Sequence, residues 1–249
     1  MEDSKTMTKP DEVLPPIEAI QRARNSLLNN LPDNGLGADH IETHLKAEIV
    51  PGFNRPSESP HFYGFVTGGA TSAARTADHI AVEADQNVQV HLPKETVATD
   101  VEDRALHMVC DLLDLESEDW PHRTFTTGAT ASNVLGLACG REHIIQKSAS
   151  HASSQQSISV AEIGIHKAMM WAGITDVQIL TTVPHSSLRK AASIVGLGRT
   201  AVIDVGRTDL PHRFDIAFLE DNLREAKAAS IVAVSCAEVN TGFFATVWR

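Results

Sequence analysis

Basic residues are in deficit in this chain, with 21 Lys and Arg against 32 Asp and Glu and a net charge of -11. A nucleic-acid surface needs a basic face, so that class of partner is excluded, while a local basic pocket for an anionic cofactor is not. Cysteine is scarce: Cys110, Cys139 and Cys236 form no CxxC pair. All three sit in apolar patterns and are expected to be small buried hydrophobes in a reducing compartment. Long apolar runs are missing too, and none approaches the ~20 residues that span a bilayer. The N-terminal MEDSKTMTKPDEVLPP has no apolar core of the kind a secretory signal needs, so a cytoplasmic protein without membrane partners is expected. His143, His151 and His166 lack any coherent metal-ligand spacing, and no metal is expected. Gly196-Leu197-Gly198 lacks the third glycine and the acidic partner of a dinucleotide fingerprint, and it closes a helical pattern where that fingerprint opens one.

What is present is an ordinary globular composition, 42% hydrophobic and 21% charged over 249 residues, enough to bury a core. Residues 1–16 are expected to form a loose arm. Ile17 to Leu31 has helical spacing, and Pro32-Asp33-Asn34-Gly35 breaks it. Residues 50–60 are a proline-rich connection, which sets expected domains at 1–60 and 61–249. Thr71 to Val82 and Val97 to Leu113 predict helices, the second with Val101, Leu106, Val109, Leu112 and Leu113 on one apolar face.

Past Trp120-Pro121 the pattern alternates. Strands are predicted at Arg123 to Thr127, Val177 to Val183, Ala201 to Val205 and Ile231 to Cys236, the last buried on both faces. Between them, helices are predicted at Ala131 to Gln146, Val160 to Trp171, Ser186 to Val195 and Asp215 to Ala228. Helices of this length between strands indicate crossovers and a mostly parallel sheet. The final Phe243 to Arg249 offers no closing helix, so a truncated domain is expected.

Three polar loops carry the chemistry. In Thr126-Thr127-Gly128-Ala129-Thr130-Ala131-Ser132-Asn133, a small-residue turn opens a helix and offers free N–H groups, hydroxyls and a positive dipole end to an anion. Plain capping by Thr127 or Thr130 is the alternative. In Val183-Pro184-His185-Ser186-Ser187, the histidine follows a strand at the edge where α/β sheets place ligands. It is otherwise a surface histidine, with Ser186 or Ser187 capping the next helix. Ala237-Glu238-Val239-Asn240-Thr241-Gly242 follows another strand at the same expected edge, and loops gathered at one edge favour a cleft. The Asp100, Glu102 and Asp103 cluster fits the wet face of a helix.

Taken in order, HFYGFVTGG, DQNVQVHLPKETVATDVED, TFTTGATASNVLGLACGREHII, PHSSLRKAASIVGLG and VSCAEVNTGFFAT resemble the pyridoxal-phosphate (PLP) dependent group II amino-acid decarboxylases over residues 55–246. The resemblance implies a fold-type-I large domain, α/β/α with a mostly parallel sheet behind an N-terminal helical segment. It implies PLP as cofactor, an L-amino acid as substrate and a homodimer. It places Gly128, Ala129 and Thr130 on the PLP phosphate, His185 on the pyridine ring as the catalytic contact, and Asn240 and Thr241 beside the cofactor. Phe62 and Tyr63 resemble a substrate-entrance segment, and Gln89 to Pro93 a loop near the substrate. The family's pyridine aspartate and cofactor lysine follow the Asn240-Thr241 loop. Lys167, in His166-Lys167, precedes His185 and is expected to be a solvated helix lysine. Three rivals remain: a chain that binds PLP or a partner subunit without chemistry, another PLP-dependent lyase reaction, and an unrelated nucleotide-binding α/β protein.

Overall fold

In the computed structural model of the chain, the described residues are 13–55, 69–151, 158–224, 228–236 and 242–245. They divide between two units, Met1–Thr99 and Asp100–Arg249.

The first unit is helical. Helix α1, Ile17–Ser26, starts after Pro16 and stops five residues short of the predicted Leu31, where Leu27 turns extended. A short helix α2, Ala38–His44, runs on into a wide turn and a 3-10 turn at Val50–Gly52. That turn packs on α1 so closely that a Cβ on Gly52 would lie 2.8 Å from the Ala23 Cβ. Helix α3, Ser72–Glu83, matches its prediction, and the Thr71 hydroxyl caps it by accepting from the Ala74 N–H.

The second unit is built on a three-stranded parallel sheet. Strands β1, Asp176–Thr181, β2, Val202–Asp204, and β3, Ala228–Ala233, lie in the order β2-β1-β3. Helix α8, Ser186–Ile194, connects β1 to β2, and helix α9, Ile216–Leu223, connects β2 to β3. Strand β1 is central, and its side chains alternate between two cores. Ile179 packs with Leu137, Ala191, Ala192, Val195 and Val202, beneath α8 and the long helix α5, Ala129–His151. Leu180 packs on the other face with Val205, Phe214 and Leu219 of α9. Helices therefore cover both faces, which is the predicted α/β/α layering.

Small residues set the close approaches. A Cβ on Gly140 of α5 would sit 3.2 Å from Ile231 Cδ1, so the bare backbone lets α5 lie against β3. The C-terminal half of α5 packs through Ile145 and Ala149 on helices α6, Val160–Ile163, and α7, Ile165–Ala172. Gly164, at φ 79, breaks what the sequence presented as one helix from Val160 to Trp171, because the chain must turn in the left-handed region there. Glu142 of α5 accepts the Val160 N–H and so caps α6.

Several expectations are corrected. Arg123 to Thr127 is not a strand: among the described residues it has no ladder partner, and Arg123 instead donates to the carbonyls of Ser117 and Trp120 and to Asp103. Strand β3 begins three residues before the predicted Ile231 and is only half-buried, lying at one of the two edges of the described sheet. Helix α4, Ala98–Leu112, forms as predicted, but of its five expected face residues only Leu106 is buried, joined by Cys110. Cys139 and Cys236 are exposed, against the expectation for all three cysteines. Among the described residues no helix is long and apolar enough to cross a membrane.

Candidate functional site

At the C-terminal end of β1 the chain has to leave the sheet and start α8 within four residues. Val183 absorbs the turn at φ 42, a left-handed conformation that a β-branched residue adopts only under strain. Pro184 follows, and His185 becomes the N-cap of α8. Its Nδ1 accepts the Ser187 backbone N–H at 3.2 Å and lies 2.7 Å from the Ser187 Oγ. The predicted cap was Ser186 or Ser187. The imidazole takes that role because extended backbone at His185 swings Nδ1 over the first turn of α8.

The Val183 strain is testable. Its side chain is 45% exposed, so Val183→Gly forfeits little burial. Relief of about 1–2 kcal/mol of left-handed strain outweighs the roughly 0.5–1 kcal/mol entropic cost of glycine. Urea unfolding is expected to show the variant equal to the parent chain or more stable by up to about 1 kcal/mol. A loss larger than that would remove the strain from the account.

Ser187 is 6% exposed and accepts a hydrogen bond from Asn133 Nδ2 at 3.0 Å. Asn133 lies in the second turn of α5, so this bridge ties the N-terminal turns of α5 and α8 together beside the C-terminal edge of β1. Two helix N-termini, each with unspent N–H donors and a positive dipole end, converge there. Asn133, Thr181, Thr182, Val183, His185, Ala233 and Ser235 are among the residues that line a cavity of about 130 Å³ at this edge.

The predicted phosphate turn sits at the start of α5. Gly128, Ala129 and Thr130 are all exposed, and a Cβ on Gly128 would meet open space. The Thr126 hydroxyl holds the turn, donating to the Gly128 carbonyl at 3.0 Å and lying 2.7 Å from the Ser132 Oγ. The Ser132 N–H makes the first helical bond back to Gly128, which leaves the N–H groups of Ala129, Thr130 and Ala131 as the unsatisfied donors of α5. Among the described residues, neither Thr127 nor Thr130 caps the helix with its hydroxyl. Thr130 lines a second, more open and mostly apolar cavity of about 660 Å³ with Phe125, Val134, Leu135 and Ile194.

The structure thus joins His185 to the phosphate-turn helix through Asn133 and Ser187, whereas Thr130 faces a different cavity. Thr241 and Asn240 lie outside the described residues, as do Phe62 and Tyr63. Lys167 is exposed on α7 and lines neither cavity. Sequence reasoning overlooked the Asn133–Ser187 pair and Val183. No local signal pointed to the pair, since Asn133 and Ser187 lie 54 residues apart in the chain and line a cavity that Thr130 does not. Among the described residues no cluster of His, Cys, Asp and Glu could hold a metal ion.

No family model matches the chain. Among curated proteins it is similar to aspartate 1-decarboxylase of Aliivibrio fischeri, 26% identical over 205 residues that cover 78% of this chain and 36% of that protein. Among solved structures it is similar to the glutamate decarboxylase domain of a diaminobutyrate-pyruvate transaminase and L-2,4-diaminobutyrate decarboxylase from Vibrio parahaemolyticus. That match has a TM-score of 0.72 and 21% identity, and covers 97% of this chain and 49% of the other. Oryza sativa TDC, solved with PLP and tryptamine, matches at a TM-score of 0.63 and 19% identity, covering 93% of this chain and 48% of that one. The chain spans about half the length of these solved structures and about a third of the curated relative. The expected resemblance to the group II decarboxylases and the fold-type-I class are borne out.

Proposed function

We infer that this chain forms the phosphate-binding and ring-stacking side of a PLP site in an L-amino-acid decarboxylase. One observation carries the inference: the Asn133–Ser187–His185 bridge, which gathers two helix N-termini and an exposed imidazole at the ligand edge of a parallel sheet. The donor types fit the cofactor, with Thr130 on a cavity separate from the one beside His185. The free N–H groups of Ala129 and Thr130 and the Thr130 hydroxyl suit a phosphate dianion, and the His185 ring suits a flat heteroaromatic. A cavity of about 130 Å³ is too small for a whole cofactor, so in this reading it takes only the part nearest His185.

PLP, when bound, would supply the electron sink that takes up the bonding pair left on the substrate carbon as the carboxylate departs as carbon dioxide. This chain's residues do the remaining work. Gly128, with no Cβ to intrude, keeps the phosphate approach open, while Ala129 and Thr130 hold the anion. His185 fixes the ring plane and excludes water from one face. The family resemblance assigns Asn240 and Thr241 to the cofactor's flank, and both lie outside the described residues. The substrate is an L-amino acid, and the working assembly is a homodimer. Lys167 is not assigned the role of cofactor lysine. Its exposed place on α7 favours the second reading, in which the chain binds PLP or a partner subunit and does no chemistry alone.

Thr130→Val preserves shape and removes one hydroxyl from the phosphate. PLP affinity is expected to fall by about 1–2 kcal/mol, a factor of roughly 5–30. Spectrophotometric titration of the parent and variant chains measures it. Equal affinity in both rejects Thr130 as a phosphate ligand. A parent chain that binds a nucleotide but not PLP returns the protein to the wider class of nucleotide-binding α/β folds.

A further inference from the structure

The hydrogen bonds at His185 are directional. The Ser187 backbone N–H can only donate, and it points at Nδ1 at 3.2 Å. Nδ1 must therefore offer its lone pair. The Ser187 hydroxyl, 2.7 Å from the same atom, already accepts from Asn133 Nδ2 at 3.0 Å, so its own proton is free to turn toward Nδ1. The result is a relay of donors, Asn133 to Ser187 to His185, in which each bond polarises the next. Ser187 is buried, which shields the relay from competing water. The neutral imidazole then carries its proton on Nε2, the nitrogen on the far side of the ring. Among the described residues Nε2 has no partner.

We propose that Asn133 and Ser187 are positioning residues that lock His185 as the Nε2–H tautomer, so that the cavity is offered a neutral hydrogen-bond donor aimed at an acceptor oxygen. The complementary ligand atom is a carboxylate or phosphate oxygen. A protonated amine is disfavoured there, since the ring nitrogen with a lone pair is turned away into α8. The tautomer follows from geometry alone, while the identity of the oxygen rests on the PLP reading above.

The experiment records two-bond proton–nitrogen spectra of the full chain, labelled in its imidazole nitrogens, without PLP. The pH is about 8.5, well above the ordinary histidine pKa of about 6.5. The His185 signal is identified by its loss in His185→Asn, which keeps a side-chain acceptor at the cap. Expected is a single Nε2–H pattern in the parent chain. Asn133→Asp reverses the relay, because a carboxylate can only accept and so draws the Ser187 proton away from Nδ1. The Nδ1–H fraction should then rise by about fivefold, the change expected when one ordinary hydrogen bond turns round. Ser187→Thr keeps the hydroxyl and should keep the parent pattern, which a purely steric role for Ser187 does not require. Nδ1–H or an even mixture in the parent chain overturns the proposal, and that spectrum decides even if Asn133→Asp does not fold. A folded Asn133→Asp chain with an unchanged spectrum overturns it too. PLP is titrated separately into the same samples. An Nε2–H pattern without PLP binding supports the relay and rejects the cofactor reading.

Discussion

Ile179→Ala should cost about 3–4 kcal/mol of stability, a large share of the roughly 5–15 kcal/mol that a domain has in total. Ile179 is fully buried in the central strand and meets residues from α5, α8 and β2, so the cavity it leaves has walls on three elements that cannot close together. His185, in the loop that follows the same strand, is the contrasting case. It is exposed, and what it gives the fold is one cap and one partner for a buried serine. His185→Ala should therefore cost about 1–2 kcal/mol. The order reverses for ligand binding: Ile179→Ala leaves the PLP affinity of the folded fraction close to that of the parent, and His185→Ala weakens it. Urea unfolding and PLP titration on both variants separate the effects. If His185→Ala unfolds the chain as readily as Ile179→Ala while PLP affinity per folded molecule is unchanged, His185 is a structural cap and not a ring contact.

The contrast between these positions also explains what could be read in advance. Strand β1 was legible because a short stretch rich in β-branched and apolar residues, Val177 to Val183, lies between the Gly173 turn and Pro184. Helix α5 was legible because Val134, Leu137, Ala138 and Ile145 recur at helical spacing after the Gly128 turn, although it starts two residues before and ends five after the predicted Ala131 to Gln146. Strand β3 was misplaced for a related reason. Ile231 to Val234 is as apolar as β1, yet its place beside only β1 is a fact of pairing that local sequence does not contain. The same holds for Arg123 to Thr127, which has no ladder partner among the described residues. At the site, the order of motifs led to the turn at Gly128 and to His185. The cap was missed because serine is the common N-cap and histidine is not. The Asn133–Ser187 bond joins residues 54 apart in the chain, and it exists only once α5 and α8 have packed on the same face of β1.

Incubation with PLP followed by borohydride should give low labelling spread over several lysines, below about a tenth of a label at any one of them. A lysine forms an imine only as the free amine, and an ammonium in water near neutral pH is free in about one part in a thousand. A cofactor lysine escapes that penalty by desolvation beside the ring. Lys46, Lys94, Lys147, Lys167 and Lys190, the lysines among the described residues, are all exposed and line neither cavity. Lys46 is moreover paired with Glu42, whose carboxyl the Lys46 hydrogen bond holds below its usual range. The His-Lys pair makes Lys167 the one position where a sequence motif argues otherwise. Its helix α7 packs through Ala168 and Ala172 into the core beneath the C-terminal half of α5, whereas Asn133 and the phosphate turn are at the N-terminal end of that helix. Peptide mapping of the reduced adducts decides the matter. Stoichiometric label at Lys167 alone, with carbon dioxide released from an amino acid, would mean that the cofactor sits at the α7 end of the domain and that the edge built from Asn133, Ser187 and His185 serves some other ligand.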